Sequence, residues 1–127
     1  MGRAQEDTNR RMLRARDRMD RAFAEPLDVA TLAAVAHVSP AHFSRVFRAT
    51  FGETPHRYLQ RRRIERAMFL LRTTQRSVTD VCVAVGFSSL GTFSHTFRDI
   101  TGTTPSDFRR DNEPLPVPTC FLSLIHI

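Results

Sequence analysis

The sequence predicts an all-α chain of about seven helices, arranged as two bihelical units joined by one long helix. One stretch of sequence occurs twice, at an offset of 49 residues before its central turn and 50 after it. Within both copies, apolar residues recur at i, i+3, i+4 and i+7, the spacing of one helix face. No segment alternates convincingly as a strand.

A first helix is expected from about Thr8 to Ala24, with Met12, Ala15, Met19, Ala22 and Phe23 as its apolar residues. The first copy of the repeat then runs from Val29 to Arg48. Asp28 is its N-cap, and Val29, Leu32, Ala33 and Ala36 share one face. After the turn His37-Val38-Ser39, Ser39 caps a second helix and Pro40 opens it, where a missing N–H is harmless. Phe43, Val46, Phe47 and Phe51 repeat at helical spacing until Gly52 ends the helix in a left-handed conformation. Thr54 and Pro55 cap and open a connecting helix of about 18 residues, or ~27 Å. It carries Tyr58, Leu59, Ile64, Ala67, Met68 and Leu71.

The second copy runs from Val78 to Arg98 by the same logic. Ser77 and Asp80 form an S-x-x-D box, and Val78, Val81, Cys82 and Val85 face inward. Gly86-Phe87-Ser88 makes the turn, with Gly86 free to take positive φ. Phe93 and Phe97 pack the helix that follows, and Gly102 closes it. A last short helix begins at Thr104-Pro105 and holds Phe108. The organisation is therefore a first unit over 8–53, a linker helix over 54–73, a second unit over 74–110 and a proline-rich extended tail over 111–127. That tail ends in an apolar stretch, 119–127, expected to be non-native or the start of a missing domain. Two copies at so long a period make a duplicated motif, not a solenoid.

Composition narrows the function. The chain has 127 residues, enough for one domain or two very small ones, and its 41% apolar and 25% charged content argues against wholesale disorder. All 19 basic residues are arginine, against 13 acids, for a net charge of +6. Such a surface suits a polyanion, nucleic acid before an anionic membrane. Cys82 and Cys120 are too few for a disulfide framework or zinc site, so reducing, cytoplasmic conditions are expected. The polar start, Met1 to Asp7, predicts no signal peptide, and apolar runs of five residues predict no membrane span. His37, His42, His56, His95 and His126 lack metal-ligand spacing, so neither metal nor cofactor is expected. No Ser/His/Asp set, Cys/His set, paired carboxylates or glycine-rich phosphate loop points to an enzyme, and no small-molecule effector site is evident.

Helix, short turn and helix is the helix-turn-helix geometry, whose second helix can lie in the DNA major groove. With Phe43, Val46 and Phe47 inward, Pro40 and Ala41 at the helix start and Ser44, Arg45 and Arg48 along it face outward. Arg45 is the best base reader, since its planar fork matches the two acceptors of guanine. Ala41 can touch a thymine methyl group, and Arg48, one turn on, suits phosphate. The corresponding face of the second copy is Ser89, Leu90, Gly91, Ser94, His95 and Arg98. It is poorer in donors, so DNA shape is expected to matter more there. The helix starts at Thr54 and Thr104 offer free N–H groups to phosphate. The run Arg61-Arg62-Arg63 with Arg66 resembles a phosphate clamp, but on one helix these side chains point several ways. Arg63 is expected to pair with an acid such as Glu65 or Asp99, or to cover apolar surface.

Residues from about Arg11 to Arg110 resemble the DNA-binding domain of the AraC/XylS family of bacterial transcription regulators. The residues that carry the resemblance are Ala84, Gly86-Phe87-Ser88, Phe93-Ser94, Phe97-Arg98, Gly102, Thr104-Pro105 and Phe108-Arg109. The resemblance implies two recognition helices starting near Pro40 and Ser89, binding of double-stranded promoter DNA, and contact with RNA polymerase. Leu90, Gly91 and His95 depart from the polar or arginine residues common in the family. Members usually carry a sensing or dimerisation domain as well, so this chain is expected to be a stand-alone regulator or a fragment. The competing reading is a basic helical protein that binds nucleic acid without sequence preference.

Overall fold

The computed structural model describes residues 2–112; the proline-rich stretch from Pro114 and the apolar end predicted for the tail lie outside them. Seven helices follow in order: α1 (Gly2–Arg21), α2 (Val29–Ala36), α3 (Pro40–Phe51), α4 (Pro55–Thr73), α5 (Val78–Ala84), α6 (Leu90–Thr101) and α7 (Pro105–Asp111). Among the described residues there is no strand. Asp28, Ser39, Thr54, Ser77, Ser89 and Thr104 each accept a backbone N–H three residues on, at 2.7 to 3.3 Å. Each thereby satisfies a donor that has no partner inside the helix. Gly52 and Gly102 take φ of 81° and 83° and donate to the carbonyls of Arg48 and Arg98 at 2.8 Å.

The helix expected from Thr8 to Ala24 instead spans Gly2–Arg21. Its early turns lack an apolar periodicity and are held by local polar contacts. Gln5 donates to Asn9 at 3.1 Å, Thr8 to the Ala4 carbonyl at 3.0 Å and Arg11 to Asp7 at 2.9 Å. The two side-chain pairs, Gln5 with Asn9 and Asp7 with Arg11, stabilise the helix by a few tenths of a kcal/mol each.

Each unit has its own core. Met12, Ala15 and Met19 of α1 pack with Leu32, Ala33 and Ala36 of α2, Phe43 and Phe47 of α3, and Tyr58 and Leu59 of α4. The second core joins Ile64, Ala67, Leu70 and Leu71 of α4 to Val81, Cys82, Val85, Phe87, Phe93, Phe97 and Phe108. α4 thus gives its first turns to one core and the remainder to the other. Phe23 packs against both. Cys82 is a small core residue, and burial pushes its thiol up. Removing a fully buried phenylalanine such as Phe43 or Phe97 costs ~3–5 kcal/mol.

Tyr58 closes the first core with its ring and points its hydroxyl at α1, donating to Asp20 Oδ1 at 2.7 Å. Burial, then the Asp20 hydrogen bond, push the phenol from 10.0 up to about 12. The folded chain therefore holds a proton that the unfolded chain releases first. This contribution is fully present below pH 10 and is lost as pH rises toward 12. Tyr58 is the single tyrosine of the chain, so tyrosinate absorbance reads it alone. The midpoint is expected near 12 and lower in Asp20→Ala, where burial still holds it above 10.0; a parent midpoint near 10.0 contradicts the buried hydroxyl.

Candidate nucleic-acid interface

α3 and α6 are the second helices of the two bihelical units, and their phenylalanines fix which way they face. Phe43, Phe47, Phe93 and Phe97 are fully buried. On α3, Pro40, Ala41, Arg45 and Arg48 are exposed and Ser44 is half-buried. On α6, Leu90, Gly91, His95 and Arg98 are exposed and Ser94 is half-buried. The caps Ser89 and Thr54 are exposed, whereas Thr104 is half-buried. Thr54, Ser89 and Thr104 use their oxygens as acceptors of the helix N–H groups. Ser89 also donates its hydroxyl proton to Thr92 Oγ1 at 3.1 Å, whereas those of Thr54 and Thr104 remain available to an acceptor such as phosphate.

Charge sorts the arginines. Arg57 pairs with Asp99 at 2.9 Å, and Arg61 with Glu53 at 2.9 Å and with Glu65. Arg62 sits 3.2 Å from Asp20 and 3.0 Å from Glu65. Arg66 lies over the ring of Phe69 at 4.7 Å. Two of the four arginines of the run, Arg61 and Arg62, are thus paired with acids, while Arg63 and Arg66 meet none among the described residues. Arg63 does not meet Glu65 or Asp99. It donates to the carbonyls of Phe23 and Glu25 at 2.6 and 2.8 Å and lies over the Phe87 ring, 5.8 Å from its centroid. Arg45, Arg48 and Arg98, like Arg66, Arg72 and Arg76, have no carboxylate partner among the described residues. Uncompensated positive charge thus remains on the outward faces of α3 and α6.

The C-terminal turns of both helices are tied to the start of α4. The Phe47 ring lies 5.8 Å from that of Tyr58, edge to face. On the other side, Arg57, the neighbour of Tyr58, reaches Asp99 of α6. α3 thus packs on the first turns of α4, while α6 packs on its later turns through the second core and meets Arg57 only at the surface.

A groove of about 890 Å³ lies between α1 and α3. Gln5, Asn9 and Leu13 line one wall, and His42, Arg45, Val46 and Ala49 the other. Sequence reasoning missed the α1 wall, because it started the helix at Thr8. The amides of Gln5 and Asn9, four residues apart, were the available signal.

Residues 32–111 match the family described as "Helix-turn-helix domain". The regulatory protein SoxS of Escherichia coli is 34% identical over 91 residues, which cover 72% of this chain and 85% of that protein. The C-terminal domain of AraT, a response regulator from Geobacillus stearothermophilus, superposes with a TM-score of 0.80 at 26% identity, covering 85% of this chain and 90% of that one. The DNA-binding domain of AdpA, a global transcriptional factor solved in complex with a target DNA, gives 0.76 at 32% identity, covering 79% and 90%. Against three further curated relatives, the chain spans only 12% to 44% of their length. With two helix-turn-helix units on one connecting helix and these relatives, the chain belongs to the AraC/XylS family of helix-turn-helix transcription regulators.

Proposed function

We propose that the chain binds double-stranded promoter DNA sequence-specifically, with α3 and α6 in successive major-groove segments, and that its role is binding rather than catalysis. The observation that carries this reading is the unpaired Arg45, Arg48 and Arg98 on the outward faces of two helices anchored to one rod, while the α4 arginines 57, 61 and 62 are paired with acids. α4 has 19 residues, ~28 Å of helix, of the order of the ~34 Å between successive major-groove segments on one face of DNA. In this reading Arg45 reads a guanine edge, Ser44 and Ala41 contact neighbouring bases, and Arg48 and Arg98 hold phosphate. Leu90 offers apolar surface to a thymine methyl group, His95 and Ser94 contribute single donors, and Gly91 lets backbone approach the duplex. Pro40, Thr54, Ser89 and Thr104 lie at helix starts near the sugar–phosphate backbone. We propose RNA polymerase as a further partner of the DNA-bound chain.

Selection from a random DNA pool tests the reading, followed by competition between selected and random duplexes at one salt concentration. The selected duplex is expected to win by about 10³-fold or more. Equal competition would establish a nonspecific basic binder instead.

A further inference from the structure

Two bihelical units joined by a helix are only as well oriented as the contacts between them, and those contacts converge on one segment. Residues 23–25, between α1 and α2, belong to the first unit. The Phe23 side chain packs against both cores. A Cβ placed on Gly86, in the turn of the second unit, would stand 2.8 Å from the Ala24 carbonyl oxygen and 2.9 Å from its Cα. From α4, Arg63 sends Nε to the Phe23 carbonyl at 2.6 Å and Nη2 to the Glu25 carbonyl at 2.8 Å. The same guanidinium lies over Phe87, next to Gly86. One planar fork thus touches the first unit's loop and the second unit's turn while rooted in the rod between them.

We propose that Arg63 is a positioning residue for DNA recognition: it ties residues 23–25 to the Gly86-Phe87 turn, fixes the relation of α3 to α6, and so sets the half-site separation the chain accepts. The inference rests on the two-helix reading of DNA given above. Once one helix is bound, docking of the other is intramolecular. Its effective concentration is high at the one spacing that a rigid link matches and spreads over many spacings when the link loosens. Charge-assisted bonds to two carbonyls demand a fork with two donors in one plane, which methionine cannot supply and lysine supplies only as a point charge.

The experiment measures affinity of the full chain for the selected duplex, for the same duplex with 2 bp inserted between half-sites, and for a duplex with one half-site. The parent is expected to lose about tenfold or more on the insertion, which turns one half-site by roughly 70° relative to the other. Arg63→Met is expected to keep its affinity for the single half-site and to lose no more than about threefold on the insertion, with Arg63→Lys between the two. Thermal melts accompany each variant; should Arg63→Met fail to fold, Arg63→Gln, which retains one donor group, takes the same test. Undiminished spacing discrimination in the folded variant overturns the inference, as does an equal loss on the single half-site, which marks a merely structural role. A parent that binds selectively yet ignores spacing overturns the positioning role alone. A parent without sequence preference overturns the DNA reading and the positioning role together.

Discussion

Gly86→Ala is expected to lose about 2–5 kcal/mol of folding stability, read as a fall in the urea midpoint. Two effects add. The residue has φ of +99°, a conformation L side chains rarely adopt, and its new methyl would overlap the Ala24 backbone at 2.8–3.0 Å. Backbone atoms on the far side cannot swing away as a flexible side chain would, so the two units must part or the turn must distort. His37 provides the control. It holds the corresponding turn of the first copy, has φ of 59° and is exposed. His37→Gly relieves the strain but frees the unfolded chain, and is expected to change stability by no more than about 1 kcal/mol. A Gly86→Ala midpoint indistinguishable from the parent's would mean that the two units do not pack as described.

Arg45→Ala is expected to weaken binding to the selected duplex by about 1–3 kcal/mol and to relax preference at one base pair. The side chain is exposed on α3 and free of a carboxylate among the described residues, so the substitution removes reach without opening the core. Arg48→Ala separates base reading from phosphate holding. It is expected to weaken selected and random duplexes alike and to reduce the salt slope by about 1. An Arg45→Ala chain that still ranks all sequences as the parent does would remove Arg45 from the base-reading set.

What could be read from the sequence was local. Caps such as Asp28 and Ser39, prolines at first helical positions and C-terminal glycines act within a few residues of themselves; the caps and glycines appear as hydrogen bonds in the structure, and Pro40 opens α3. The two cores follow from phenylalanine, leucine and valine spacing, since one face of a helix has to be buried. Contacts between distant residues were less legible. Gly86 could be assigned a positive φ, but not its approach to Ala24, 62 residues earlier in the chain. Arg63 was assigned an acid or an apolar surface. It lies over Phe87, but its fork is satisfied by carbonyls of a loop that has no periodicity to announce it. The start of α1 was missed because its early turns rest on polar pairs, which hydrophobic patterning does not detect. For the interface, the outward faces were legible as the complement of the buried phenylalanines. The division between neutralised and unpaired arginines required the fold.

A hydroxyl-radical footprint of the chain on its selected duplex tests the central claim most directly. Twin helices anchored to one rod predict two protected patches about 10 bp apart on one face of the DNA. A single patch, or protection that spreads along the duplex regardless of sequence, would contradict it.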